Sequence, residues 1–541
     1  MSPKRSKLLL IALLIPFALI TVRLFYWQVI KEPELKEKAL NQTYKLETIN
    51  PKRGKIFTSD GYPIVLNRNY YQLSVYKPNI KDNKLDELFQ KIDQNIPNFK
   101  QDNQNLINSF IADSNRKWIT FPIEVTENQK ENLKNLNLDF QNIEKRLYPE
   151  NNLAKDILGN NSVGGLEAYY DKQLKGKTGF SLGTKDGTGK TILTKKSWTS
   201  DAVDGRNLHT TINRNIQVLS ERLLQQGLDR YTSDSGSITI INSKTGALLA
   251  MSTLTATSSA TPSAFKNPAI SDLFEPGSIF KPLIVTMALD KKSIDTNFVC
   301  TGCGSQRAIG KYTITNWDSE LHPNSSLQDI IKNSDNIGMS YIIGKLGEKN
   351  FLDYYHKIGL DQKTGIDLQG EVKPLLKEEW PEIDLATASF GQGIAMTQIN
   401  MLQAFNTIAN NGVLVKPYVV DHFDENNKII KAKFKPETKV FKPETTSQMK
   451  AILKYAVENG VVAKMKPKDL EVCAKSGTAQ VAIKGDYTNS STIASYIGFS
   501  PCENPKFTMI VTINNPKSSP WGSSTAAPIW FELASKINNL L

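Results

Sequence analysis

Residues 272–289 read DLFEPGSIFKPLIVTMAL, and the lysine inside this apolar run decides how the chain is understood. Burying a lysine charge without a partner is strongly unfavourable. Lys281 therefore either snorkels to water, as most lysines beside apolar surface do, or is held in a pocket for a chemical purpose. Ser278 stands three positions before it. The Ser-x-x-Lys spacing alone does not choose, because it recurs at Ser74/Lys77, Ser114/Lys117, Ser263/Lys266 and Ser447/Lys450.

Outward from that stretch, the chain runs to 541 residues, enough for two or three domains. With 40% hydrophobic and 22% charged residues it has the composition of a globular protein, not of a disordered or fibrous one. The formal net charge of +12 is spread among Asn, Asp and Glu, without a dense basic patch or interleaved aromatics. That distribution reads as a solvated lysine-rich surface, and no nucleic-acid partner is expected.

The N-terminus gives a strong signal. Lys4, Arg5 and Lys7 precede LLLIALLIPFALITVRLFYWQVI, residues 8–30. As a helix this stretch spans roughly 34 Å, enough to cross a bilayer. A cleaved signal peptide is the competing reading, but no small-residue cleavage site follows the apolar run. Arg23 can snorkel to the far interface, with Tyr26 and Trp27 as an aromatic belt. The expectation is a cytoplasmic tail over 1–7, a single transmembrane helix over 8–30, and everything after it on the far side of the cell membrane.

From residue 31 to 205 the chain is Asn/Lys-rich and carries little that looks catalytic. PKRGKIFTSDGYPIVLN, residues 51–67, predicts strand, turn, strand, with Asp60-Gly61 at the turn. VGGLEAYYDKQLKGKTG predicts a glycine turn and a helix ending at Gly176. GTKDGTGKT, residues 183–191, imitates a phosphate-binding loop, but the position requiring the first glycine is Thr184, so it reads as a linker. After residue 206 the character changes. Residues 237–253 predict a hairpin around Ser243–Gly246, and helical segments dominate from about Phe280 to Val415. Strand character returns over 471–483, 494–501 and 506–514, before a final helix in TAAPIWFELASKINNLL. Strands from both ends around a helical block predict an α+β domain over 206–541: one antiparallel sheet with helices on both faces.

None of the four histidines, His209, His322, His356 and His422, sits in a nucleophile-elbow or zincin motif. A serine nucleophile without histidine needs another base, and lysine is the obvious replacement. Three motifs then line up in order: Ser278-Ile279-Phe280-Lys281, Ser334-Asp335-Asn336 and Lys475-Ser476-Gly477-Thr478. Lys-Thr-Gly also occurs at 177–179, 244–246 and 363–365, but only Lys475 belongs to an apolar strand that follows the other two motifs. Ser-x-x-Lys, Ser-Asp-Asn and Lys-Thr-Gly form the set carried by penicillin-interacting serine enzymes. The chain resembles that superfamily, with Ser476 in place of the threonine and the hydroxyl kept.

Further stretches narrow the resemblance. INPKRGKIFTSDGYPIVLN, GGLEAYYDKQLKGKTG, GRNLHTTIN, FEPGSIFKP, Asn316-Trp317-Asp318, SFGQGIAMT and WGSSTAAPIW look like landmarks of class B penicillin-binding proteins. These are membrane-anchored peptidoglycan D,D-transpeptidases with a non-catalytic pedestal, here residues 31–205, and a transpeptidase domain of the serine β-lactamase-like fold. The Glu275-Pro276-Gly277-Ser278 and Gln392-Gly393 forms lean towards cell-division members over cell-elongation ones.

Roles follow physically. On a helix, positions three apart share a face, so Lys281 can hydrogen-bond Ser278. An ordinary lysine is neutral in only about one molecule in 2,500 at pH 7, so a general base here needs about 4 kcal/mol of help. Apolar Phe280, Leu283 and Ile284, with Lys475 as a second cation, can supply it. Ser334 can relay a proton, and Asn336 can hold a substrate amide. Lys475, Ser476 and Thr478, with Gly477 between them, can bind the terminal carboxylate of a D-Ala-D-Ala stem peptide. The resemblance implies an oxyanion hole from the N–H groups of Ser278 and Thr478. Pro282 removes one helical donor and predicts an irregular first turn.

Peptidoglycan stem peptides and β-lactams are the expected ligands, with a membrane glycosyltransferase and other wall-synthesis proteins as partners and no cofactor. A β-lactamase, a D,D-carboxypeptidase and a β-lactam-sensing receptor share the motifs. The pedestal and anchor argue against the first, and the short cytoplasmic tail against the last. Four cysteines in so long a chain do not make a disulfide framework. Cys300 and Cys303 leave three readings open: a short-loop disulfide, which is favoured, two free thiols, or zinc held with Asp318 or His322.

Overall fold

The computed structural model describes residues 3–80, 84–159, 164–185, 191–192, 198–256, 266–425, 428–432, 437–483 and 486–541. Most of the phosphate-loop imitation, residues 186–190, lies outside the described residues. The chain divides into two compact units, Met1–Gly54 with Lys175–Arg206 and Lys55–Leu174 with Asn207–Leu541.

In the first unit an α-helix, Pro3–Phe25, continues as a π-helical turn over Tyr26–Ile30. Among the described residues no helix is long and apolar enough to cross a membrane. A second helix, Glu32–Thr43, leads into strand Tyr44–Ile49, which pairs antiparallel with Gly179–Lys185. That strand in turn pairs with Thr191–Ile192 and Trp198–Ser200.

The second unit holds a sheet in which Ile56–Phe57 pairs antiparallel with Pro63–Tyr76 and parallel with Asn207–Thr210. The expected hairpin is there, with Gly61 in the left-handed region at φ 78°. Its first strand is only two residues long, and its second runs on to Tyr76. Helices Leu85–Asn95 and Gln104–Ala112 bury Phe89, Ile92 and Phe110 with Leu73 and Val75 of that long strand. The glycine-led stretch after residue 163 forms two short helices, Gly165–Tyr169 and Asp171–Leu174, where a single helix was expected. Tyr170 donates to buried Asp367, whose carboxylate also accepts the N–H groups of Val419 and Val420. A buried carboxylate with three donors is satisfied, and this one ties residue 170 to the strand Val420–Glu425.

The second unit also holds a five-stranded antiparallel sheet. Its order is Leu248–Thr255, Ser235–Asn242, Phe507–Asn514, Asp486–Ser500, Cys473–Ile483, so strands from before and after the helical block form one sheet. Strand Phe507–Asn514 reads as a near-continuous apolar run because both its faces are covered. Met509, Val511 and Ile513 pack with Leu224 of helix Arg214–Tyr231 and Trp530 of helix Ala526–Asn538. Ile510 packs in the larger core with Phe280, Met401 and Phe405. Helices on both faces of an antiparallel sheet make the fold α+β, as the sequence predicts. Strand Cys473–Ile483 is the edge of this sheet.

Candidate active site

A 3₁₀ turn, Gly277–Phe280, presents Ser278, and helix Lys281–Asp290 begins directly after it. Pro282 falls in the first helical turn, where its missing N–H is not needed, so the predicted irregularity takes the form of the 3₁₀ entry. The helix is apolar on every side, with Leu283, Ile284, Val285, Met287 and Ala288 fully buried, as a helix inside a core must be. A second loop fixes the turn from outside. The N–H of Gly277 donates to Gly391 O (3.0 Å), and that of Gly393 donates to Glu275 Oε1 (3.0 Å). Gly391, at φ 80°, has no room for a side chain, since a Cβ there would lie 2.1 Å from Gly277 O.

Lys281 does not snorkel: it is fully buried. Its Nζ donates to Ser334 O (2.6 Å), Asn336 Oδ1 (2.8 Å) and Ser334 Oγ (3.1 Å). Three acceptors fill an ammonium. Ser278 Oγ is not one of them, so the bond expected from helical spacing gives way to bonds across the cleft. The reason is local: residues 277–280 are 3₁₀, and α-helical geometry starts only at Lys281. Burial holds the Lys281 amine well below the usual lysine range, and the charge of Lys475 adds to this, while Asp335 and Asp318 oppose it.

Ser334 and Asn336 reach Lys281 because two helices meet there. Ser334 ends helix Leu327–Asn333 in the left-handed region at φ 58°, costly for a residue with a Cβ. Asp335 then caps helix Asn336–Leu346 by accepting from Gly338 N (2.8 Å). Asn316 Oδ1 accepts from the N–H groups of Asn336 (2.8 Å) and Ile337 (3.3 Å), and Asn336 Nδ2 donates to Thr315 O (3.0 Å). Sequence reasoning quoted Asn316 only as a landmark; the structure gives it the work of holding the start of this helix.

The opposite wall is the edge strand. Lys475 is buried, and its Nζ donates to Ser476 O (2.9 Å), its one acceptor among the described residues. Burial pushes its pKa down to about 7. Ser476 and Thr478 are half-buried on the same strand. Thr478 Oγ1 accepts from Gly522 N (3.1 Å), and a Cβ on Gly277 would lie 3.3 Å from Thr478 O, which brings the nucleophile turn against this strand. A Cβ on Gly477 would meet Ser495 Oγ at 2.6 Å and Ile279 Cγ2 at 2.9 Å. The residues of all three motifs therefore converge: Lys281 on Ser334 and Asn336, and the turn of Ser278 against the strand of Lys475.

Cys300 and Cys303 form a disulfide, as favoured, with Cα atoms 5.5 Å apart. The zinc reading fails because its two sulfurs are bonded to each other; Asp318 Oδ2 lies 3.2 Å from His322 Nε2 instead. A second disulfide, Cys473–Cys502, joins the start of the edge strand to the segment after its neighbour. It was missed because residues 29 apart become neighbours only once the strand register is known.

Comparison with known proteins agrees with the geometry. The family model described as Penicillin binding protein transpeptidase domain matches residues 236–535, and that of the Penicillin-binding Protein dimerisation domain matches 48–163. Stage V sporulation protein D of Bacillus subtilis (strain 168) is 27% identical over 97% of this chain and 84% of its own length. Peptidoglycan D,D-transpeptidase FtsI of Buchnera aphidicola subsp. Schizaphis graminum is 27% identical over 95% of this chain and 91% of its own. In fold, Penicillin Binding Protein 2X from Streptococcus thermophilus superposes with a TM-score of 0.78 at 22% identity, covering 92% of this chain and 80% of that one.

Proposed function

The chain belongs to the penicillin-binding protein transpeptidase family, and from that premise we propose that it is a peptidoglycan D,D-transpeptidase that cross-links stem peptides through Ser278 and is a target of β-lactams. One observation carries the reading: a fully buried lysine, one turn after a half-buried serine, held by Ser334 and Asn336.

In the proposed reaction Lys281, once neutral, takes the proton of Ser278 as its Oγ attacks the penultimate D-Ala carbonyl. For this the amine gives up one of its present bonds, because a neutral lysine keeps two donors and gains a lone pair. Ser334 passes the proton to the leaving nitrogen, the C–N bond breaks, and D-Ala departs, leaving an ester on Ser278. An amine of a second stem peptide then attacks the ester and releases the serine. Asn336 Nδ2 and Oδ1 orient the peptide amide. Lys475 pairs with the terminal carboxylate beside Ser476 and Thr478, and Gly477 between them lets Ser495 and Ile279 pack close against the strand that binds it. The N–H groups of Ser278 and Thr478 stabilise the oxyanion.

The membrane anchor belongs to the same proposal. Lys4, Arg5 and Lys7 precede the apolar stretch 8–30. Phe17, Leu19, Val22 and Phe25 are exposed to more than half of their surface, and Leu24, Tyr26 and Trp27 to between two fifths and a half. Apolar surface of that extent calls for a cover, and lipid supplies it. The N-terminus then lies in the cytoplasm and the catalytic unit outside. The Glu275-Pro276-Gly277-Ser278 and Gln392-Gly393 forms favour work at division, alongside a membrane glycosyltransferase; a fluorescent fusion confined to the lateral wall would refute that placement.

Incubation of the full chain with a dye-linked penicillin, followed by intact-mass analysis, tests the chemistry. One adduct is expected, absent from Ser278→Ala; an adduct that persists in that variant would place the nucleophile elsewhere.

A further inference from the structure

Trp317 and Trp521 are exposed to 48% and 40%, yet they pack edge to face, ring centroids 5.1 Å apart and planes at 63°. The two rings come from opposite walls of the cleft. Trp317 follows Asn316, the clamp on the Asn336 helix, and its Nε1 donates to Asn333 O (2.8 Å), immediately before Ser334. Trp521 precedes Gly522, which binds Thr478 Oγ1 and whose Cβ, if added, would lie 2.2 Å from Gly477 O. Each indole is thus fixed to one of the two segments between which an acyl donor must enter to reach Ser278.

We propose that the Trp317–Trp521 contact is a gate across the cleft mouth, which must part before a stem peptide or a β-lactam reaches Ser278. Two half-exposed apolar rings gain more by meeting each other than by facing water, so the closed state is favoured at rest. The contact is also weak enough to open: an aromatic pair of this kind shifts an equilibrium by about twofold to tenfold. The gate rests on the reading of Ser278 as the acylated nucleophile.

The test is the second-order rate of acylation of the full chain by benzylpenicillin and by a dye-linked penicillin, read by intact mass. Trp521→Ala, at a partly exposed site, is expected to raise it about twofold to tenfold with both probes. Trp521→Phe, which keeps a ring, should stay near the unaltered rate. Trp521→Leu fills similar space without a ring and should also be faster, so the expectation survives if the alanine variant folds poorly. Unchanged or slower acylation in folded Trp521→Ala and Trp521→Leu would overturn the gate, and a fall in both would make the rings a substrate platform instead. Failure of the unaltered chain to form any adduct would instead strike the transpeptidase reading itself.

Discussion

Lys281 and Lys475 are both buried cations of one site, but the turn that receives the first and the strand that carries the second treat them differently. The 334–336 turn offers Lys281 three acceptors and is itself tied down by helix caps, Asp335 on Gly338 N and Asn316 on Asn336 and Ile337. The edge strand offers Lys475 one carbonyl, that of its own neighbour Ser476. A filled ammonium can act only by losing a proton. An ammonium with two N–H groups to spare is built to take an anion from outside, because charged hydrogen bonds are the strong ones. Burial depresses both amines, so the chemical difference between them comes from the count of acceptors rather than from depth.

The comparison can be broken most decisively at Lys281. Guanidinium does not deprotonate, so Lys281→Arg should lose general-base catalysis, a fall in penicillin acylation on the order of a thousandfold or more. If stopped-flow acylation shows Lys281→Arg and Lys475→Arg equally impaired, the two lysines act through charge alone and the distinction fails.

The next largest effect belongs to the scaffold of the strand. Cys473–Cys502 closes a loop with a sequence separation of 29, so replacing both cysteines by alanine should cost about 3 kcal/mol of stability. Cys300–Cys303, with a separation of 3, closes a far shorter loop and should contribute less by about 1–2 kcal/mol. Thermal melts of the two double variants check the ranking. A larger loss from the short loop would mean that the edge strand does not depend on its crosslink.

A smaller effect sharpens the contrast at Lys475. Lys475→Met removes a charged donor and should lower the specificity constant for a carboxylate-bearing substrate about tenfold to a hundredfold. With a pKa pushed down to about 7, Lys475 is cationic below that pH and neutral above it. Carboxylate capture, and with it kcat/KM, should therefore fall as pH rises through about 7. In the proposed mechanism Lys281 works in the opposite sense: its neutral form is the base there, so protonating it should give the rising acidic limb. Lys475→Arg never titrates in this range and should abolish the alkaline limb alone. A pH profile that keeps that limb in Lys475→Arg would assign it to another group.

The sheet and the motif positions were legible because they depend on patterns that survive without tertiary contacts. The alternation and apolar runs at 237–253 and 506–514 gave the strands, and the order of the three motifs said which of five Ser-x-x-Lys pairs mattered. What stayed hidden depends on geometry that spacing does not encode. The i, i+3 rule assumes an α-helix through Ser278, where the chain is 3₁₀, and so the bonds of Lys281 at rest run to Ser334 and Asn336 instead of to Ser278. Asn316 and Trp317 stood in a recognised landmark without a role, because their partners at Asn336 and Trp521 are remote in sequence. The Cys473–Cys502 bond required the strand register.

The three glycines around the cleft have a consequence for how such a protein can change under drug selection. An added methyl at Gly391 would lie 2.1 Å from Gly277 O, at Gly522 2.2 Å from Gly477 O, and at Gly477 2.6 Å from Ser495 Oγ. Two of these obstacles are backbone atoms, which cannot rotate aside. Escape from β-lactams by reshaping the pocket therefore has no first step at Gly391 or Gly522, and variants with lowered drug affinity should map to cleft side chains that can move instead of to these backbone-locked positions. In a library varied at Gly391 and Gly522 and selected for wall synthesis, any frequent survivor other than glycine would show that the backbone yields where the packing says it does not.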